Sequence, residues 1–171
     1  ACKNKDGKYV LLTGNESAAI LLDYILSEKR KKGFLVNNGV VYNTVVTSTL
    51  GKEIASSYGV STESFLTGFK YIGDRIQYYE EHGGPEFVFG YEESYGCLIK
   101  PFVRDKDGIQ AILLYCEVAL FYKKLNITLD EAYRMLGLRY GFHKAKLYNI
   151  YFKGSEGSKK MKNIMEKIMA H

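Results

Sequence analysis

Three short runs rich in β-branched and aromatic residues, set among helical patterns, constrain this chain more than any other feature. Val40-Val41-Tyr42-Asn43-Thr44-Val45-Val46 and Phe87-Val88-Phe89 have the length and composition of buried strands, and the stretch from Val60 to Leu66 also reads as a strand. Amphipathic patterns lie between and around them. Asn15 can cap a helix running to about Lys31, with Ile20, Leu21, Tyr24 and Ile25 on one face and Gly33 closing it. Thr49 to Tyr58 reads as a short helix. Phe69 to Glu81 reads as a longer one with Phe69, Ile72 and Ile76 inward, stopped by His82-Gly83-Gly84-Pro85. Asp107 can cap a helix to Lys124 whose Ile112, Leu113, Cys116, Leu120 and Phe121 read as core. Thr128 and Glu131 make a capping-box pair for a helix ending near Leu136-Gly137. Strands alternating with helices give a layered α/β domain.

The two ends read differently. Residues 1–12 form a β-hairpin with Asp6-Gly7 as its two-residue turn, but the first strand has almost no length. They are expected to end a preceding domain, as part of a longer polypeptide. After Tyr140-Gly141 the pattern restarts, with a strand from Leu147 to Phe152 and a lysine-rich amphipathic helix from Ser155 to Met169. One strand and one helix cannot bury a core of their own. Residues 13–141 are therefore expected to be the central domain, and residues 142–171 the incomplete opening of another.

Chemistry concentrates after the Phe87 strand. Gly90-Tyr91-Glu92-Glu93-Ser94-Tyr95-Gly96 places two carboxylates and a hydroxyl between glycines, where a loop leaves the sheet. Ligands of open α/β sheets bind beyond the carboxyl ends of strands. If the loop is extended, Glu92 and Ser94 face one way and Glu93 the other. One carboxylate and one hydroxyl would then converge on a ligand rich in hydroxyls, such as a sugar. A Gly-bounded polar heptad also reads as a solvated turn. A glycosidase pair is not expected, because adjacent glutamates in an extended loop diverge and that chemistry needs two carboxyls facing one bond.

Composition narrows the classes. With 46% apolar and 14% aromatic residues the chain is folded, and its apolar runs are too short to span a bilayer. The opening residues do not read as a charged-then-apolar leader, and no export signal is expected in this stretch. The net charge of +5 is local: Lys29 to Lys32 closes one expected helix, where lysines suit the dipole, and Lys159, Lys160 and Lys162 lie in the last. No nucleic-acid motif accompanies it. Cys2, Cys97 and Cys116 cannot all pair, which points to a reducing cytoplasm. Cys97 has no histidine nearby in sequence to activate it and reads as a small hydrophobe. His82, His143 and His171 are scattered, and Asp105-Lys106-Asp107-Gly108 lacks the further oxygen ligands of a calcium loop, so no metal site is expected.

Three stretches, in order, carry a resemblance: Leu66-Thr67-Gly68-Phe69-Lys70-Tyr71-Ile72-Gly73, then Gly90 to Gly96, then Val103-Arg104-Asp105-Lys106-Asp107-Gly108. Together they resemble the third domain of the α-D-phosphohexomutases, the phosphoglucomutase and phosphomannomutase family. The tyrosines around Glu-Glu-Ser look like the branch of bacterial phosphoglucomutases and phosphopentomutase-like enzymes. The resemblance implies a mixed four-stranded sheet between helices. It implies that Glu92 and Ser94 hold ring hydroxyls, that Lys106 contacts the phosphosugar, and that Thr67 and Gly68 close over the sugar's far side. Arg104 is expected to support the loop by pairing with Glu93, and Lys70 is the weakest candidate.

The same resemblance implies what this chain does not carry. The family's phosphoryl-carrying serine sits in Thr-Ala-Ser-His-Asn-Pro. Here Thr47-Ser48-Thr49 has no following His-Asn, so no catalytic residue is expected in this chain. The magnesium loop Asp-x-Asp-x-Asp and the C-terminal phosphate loop are absent from it as well. The expected role is therefore substrate recognition within an enzyme that interconverts hexose 1-phosphate and hexose 6-phosphate, glucose first, through a bisphosphorylated intermediate. The full-length enzyme would need Mg2+ and glucose 1,6-bisphosphate. Its partners would be a phosphosugar and the remaining domains of the same polypeptide, with no nucleic acid and no membrane. A phosphomannomutase or phosphopentomutase of the family, or a stand-alone sugar-phosphate binding module, are the alternatives.

Overall fold

The computed structural model describes residues 1–146 and 148–170, so Leu147 and His171 lie outside the described residues. A small hairpin opens the chain, pairing β1 (Cys2–Lys3) with β2 (Tyr9–Val10). Its turn is one residue longer than expected. Asn4 N–H donates to Lys8 O at 2.9 Å, leaving Lys5, Asp6 and Gly7 as a three-residue loop with Gly7 at φ 74°. A left-handed third residue is what a three-residue hairpin loop requires, and glycine takes it without a Cβ clash.

The central sheet has order β4-β3-β5-β6, formed by β3 (Gly39–Thr44), β4 (Ser61–Phe65), β5 (Glu86–Tyr91) and β6 (Cys97–Leu98). β3 runs parallel to both β4 and β5, and β6 runs antiparallel to β5, so the sheet is mixed. Every residue of β3 is buried, as in a central strand covered on both faces. Val40 and Tyr42 pack with Phe69, Ile72 and Ile76 on one face, and Val41 joins the larger cluster on the other. The alternation places α3 (Lys70–His82) alone on the first face. On the other lie α1 (Gly14–Lys31), α2 (Leu50–Ser57), α4 (Gly108–Lys124) and α5 (Leu129–Tyr140). The expected layered α/β domain with a mixed four-stranded sheet is what forms.

Helix ends follow their caps. Thr13, not Asn15, starts α1: its hydroxyl accepts from Glu16 N–H while Glu16 Oε2 accepts from Thr13 N–H. Asn15 falls inside the first turn because Thr13 with Glu16 makes the reciprocal pair. Asp107 caps α4 as expected, accepting from Ile109 N–H at 2.8 Å and Gln110 N–H at 3.2 Å. These backbone donors, Gln110's first, hold its carboxyl below the usual range. Thr128 and Glu131 form their capping box, and α5 continues past Gly137 to Tyr140.

One helix is turned from its expected orientation. On α4 the buried residues are Leu114, Val118 and Tyr122, spaced four apart, while Ile112 is 64% exposed, Leu113 68% and Leu120 53%. Cys116 is exposed too, and Phe121 is half-buried with its ring 5.1 Å from Tyr24. A helix apolar on all sides has no polar stripe to mark its outer face, and packing against α1 and β6 selected another stripe. Leu113→Lys should therefore shift stability by less than about 0.5 kcal/mol, whereas Leu114→Ala should cost about 3 kcal/mol in a denaturation titration. Equal costs would mean that the helix is rotated from this arrangement.

The C-terminal stretch departs from expectation in one element. The helix is there, as α6 (Gly154–Met169), but residues 148–152 lie in no strand. Extended backbone becomes a strand only when a neighbour satisfies its N–H and C=O groups, and nothing in the described residues pairs with it. No helix among the described residues is long and apolar enough to cross a membrane.

Candidate functional site

The loop after β5 is a hairpin turn, not an extended segment. Gly90 pairs with Leu98 and Tyr91 with Cys97, and Glu92 N–H donates to Gly96 O at 2.8 Å. Tyr95 takes φ 73° to close the turn. The alternation argument that put Glu92 and Ser94 on one side therefore fails. Glu92 is 8% exposed, Glu93 half-buried, and Ser94 exposed at the tip.

Three elements fix this turn. Gly14, the first residue of α1, lies against its backbone: a Cβ there would fall 1.9 Å from Glu93 O and 2.8 Å from Tyr95 N. Tyr95 Oη donates to Leu12 O at 3.1 Å. Thr44 Oγ1, at the end of β3, donates to Glu93 Oε2 at 3.0 Å. Gly14, Thr44 and Leu12 were not anticipated as part of the site. The Thr13–Glu16 capping pair marks where α1 begins, and with it what meets the loop.

Glu92 gathers the other expected residues. Its Oε1 accepts from Gly68 N–H at 3.2 Å. Gly68 sits at φ 118°, a conformation closed to most side chains, which explains the glycine. Glu92 Oε2 lies beside Gly96, on the path of the Lys106 stem: a Cβ on Gly96 would be 2.7 Å from Lys106 Cδ and 3.1 Å from Glu92 Oε2. Lys106 comes here because Asp107 N–H donates to Cys97 O at 2.9 Å, tying the start of α4 to β6. Glu92, Gly68 and Lys106, separated by up to 38 positions, are thus one cluster beyond the strand ends.

The remaining candidates lie elsewhere. Thr67 is exposed and lines a cavity of about 730 Å³ with Thr13, Ser48, Glu93, His143 and Lys146. His143 Nδ1 is 2.7 Å from Thr49 Oγ1, joining the start of the C-terminal stretch to α2. Arg104 does not support Glu93. Its guanidinium pairs with Glu80 of α3 and bonds Pro101 O, because its backbone carbonyl packs against Gly73 on that helix. Lys70 is exposed, its ammonium 4.9 Å from the Tyr71 ring centre. Cys97 is buried, and desolvation followed by Asp107 pushes its thiol up to about 11, the opposite of an activated nucleophile. Among the described residues no three His, Cys, Asp or Glu side chains group as a metal ion would need.

Comparisons with known proteins bear on the family and the fold. Residues 13–136 match the family described as phosphoglucomutase/phosphomannomutase, alpha/beta/alpha domain III. The chain is 36% identical over 165 residues to a phosphoglucomutase of Staphylococcus epidermidis, covering 95% of this chain and 29% of that protein. A phosphoglucomutase of Staphylococcus aureus is 32% identical over 165 residues, with 96% and 29% covered. The chain thus spans under a third of the length of these relatives. Two solved structures share the fold: a putative phosphomannomutase from Thermus thermophilus at TM-score 0.56 and 20% identity, and the open form of the Paramecium phosphoglucomutase parafusin at 0.58 and 22%. They cover 80% of this chain each, and 30% and 22% of their own lengths. With the family match running from the cap of α1 to the core of α5, this chain belongs to the phosphoglucomutase/phosphomannomutase family, of which it carries the third, α/β/α domain.

Proposed function

We propose that this chain is the sugar-recognition part of a phosphohexomutase that interconverts glucose 1-phosphate and glucose 6-phosphate. The observation that carries the reading is the Glu92 carboxylate. It is buried, held on one oxygen by Gly68 N–H, and has its other oxygen beside Gly96 where Lys106 passes. A carboxylate held this way accepts sugar hydroxyls without first reorganising. Each such charge-assisted bond is worth about 1.5–3 kcal/mol. Lys106 directly precedes Asp107, the cap of α4, so its side chain is carried next to Glu92 at the end of the sheet and its ammonium can attract a phosphate. Hydroxyl acceptor and phosphate-attracting charge thus stand side by side.

In this reading the sugar is held by hydroxyls common to both ends of a bisphosphorylated intermediate, so one clamp serves two orientations. Residues 13–141 form the clamp, residues 1–12 end the domain before it, and residues 142–171 begin the domain after it. Phosphoryl transfer itself depends on positioning, metal and charge stabilisation. The serine that carries the phosphoryl group and the magnesium site belong to the remaining domains, and the 171-residue chain alone is inactive. Ser94 and Thr67 supply outer contacts once the remaining domains close the site. The enzyme works in the cytoplasm.

The test is an assay of the complete polypeptide with Mg2+ and a trace of glucose 1,6-bisphosphate. Glucose 1-phosphate is expected to be converted to glucose 6-phosphate. Turnover on mannose 1-phosphate or ribose 1-phosphate, with none on glucose 1-phosphate, would move the assignment to another branch of the family. No turnover on any of the three would remove the mutase reading.

A further inference from the structure

The Lys106 stem runs past Gly96 into the neighbourhood of Glu92, yet the ammonium does not join that carboxylate. Its one ion pair among the described residues is with Asp105, Nζ to Oδ1 at 2.9 Å. The same Oδ1 accepts from Lys106 N–H at 2.7 Å. One oxygen thus holds the backbone and the ammonium of the next residue, curling the side chain so that Nζ stands 5.7 Å from the Phe69 ring centre. The neighbouring Asp107 carboxylate is occupied with Ile109 and Gln110. With Lys106 on it, Asp105 is held below the usual carboxylate range and stays charged through the neutral region.

Opposite charges a few ångströms apart beside a buried carboxylate attract strongly. Glu92 Oε2 and the Lys106 stem converge on Gly96, so the two groups would pair if nothing held Lys106 elsewhere. That pair would occupy both groups, and a ligand would first have to break it. We propose that Asp105 is a positioning residue that keeps the Lys106 ammonium off Glu92, leaving both charges free for a sugar phosphate. This role rests on the reading of Glu92 and Lys106 as substrate contacts. The Asp105 pair is exposed, and pairs of that kind add little to stability, so its value lies in where it puts the lysine.

Asp105→Asn keeps an oxygen for Lys106 N–H and removes only the charge. In a crystal structure of the variant chain, Lys106 Nζ is expected within about 4 Å of a Glu92 oxygen, the usual limit for an ion pair. An ammonium that stays on residue 105 or points into solvent overturns the proposal. In the complete polypeptide, Asp105→Asn should raise KM for glucose 1-phosphate about fivefold with kcat within about twofold, and Asp105→Glu should restore it. In a Lys106→Met background the same Asn substitution should change KM by less than about 1.5-fold, since the residue acts through the lysine. An undiminished effect in that background also overturns the proposal. If the wild-type polypeptide shows no turnover, the mutase reading falls and the crystal structure alone decides the role of Asp105.

Discussion

Gly14→Ala is expected to destabilise the chain by about 3 kcal/mol, while Gly108→Ala, at the equivalent first position of α4, is expected to stabilise it by about 0.5 kcal/mol. Both glycines open a helix, and neither has a positive φ. Alanine is the better helix former in each place and restricts the unfolded chain equally. The two differ only in what a methyl group meets. At Gly108 nothing lies within 4 Å. At Gly14 the new carbon would sit 1.9 Å from Glu93 O and 2.6 Å from Glu93 C, both backbone atoms that no rotamer change can move. Either α1 lifts off the sheet, loosening a helix buried from Ser17 to Leu26, or the hairpin turn is pushed outward. The second route breaks the bonds from Thr44 to Glu93 and from Tyr95 to Leu12. Urea titration of the two variants beside wild type measures the difference. Equal stability of the two would show that α1 does not abut the turn, and that Gly14 has no part in shaping the site.

How much of this was legible in the sequence follows from what each signal measures. Short apolar runs report burial on both sides, and β3 and β5 formed where such runs stood, while β4, a polar edge strand with no fully buried residue, formed in the stretch from Val60 to Leu66. Caps report local hydrogen bonding, and Asp107 and Thr128 acted as read. The cluster of Glu92, Gly68 and Lys106 was reachable only through the resemblance, since nothing local joins residues so far apart. Ser94 and Arg104 were misplaced for the same kind of reason. Alternation describes an extended loop, but the two-residue strand β6 is too short to announce itself and folds the loop into a hairpin. Charge suggests that Arg104 seeks a glutamate without saying which. Gly73, by admitting the Arg104 carbonyl against α3, decides for Glu80. On α4 no polar stripe existed to read, so the buried face came from packing alone.

Glu92→Gln should lower kcat/KM for glucose 1-phosphate in the complete polypeptide by about ten- to a hundredfold, the size of one lost charge-assisted hydrogen bond of about 1.5–3 kcal/mol. The substitution keeps the shape of the side chain, and the amide oxygen can still accept from Gly68 N–H, so the fold should melt close to wild type. What disappears is the negative charge on the oxygen beside Gly96, the one that faces no backbone donor among the described residues. Glu93→Gln is the matched control. Its carboxylate faces the other way, onto the Thr44 hydroxyl, and an amide oxygen accepts that bond nearly as well. Glu93→Gln should therefore change kcat/KM by less than about threefold. A large loss in both variants would mean that the assay reports the integrity of the turn and not a contact with the sugar. Full activity in Glu92→Gln would leave the family assignment standing and remove Glu92 from the clamp. Only a large loss at Glu92 beside a small one at Glu93 fits a carboxylate that touches the substrate, because the two residues share the same turn and differ in where their charges point.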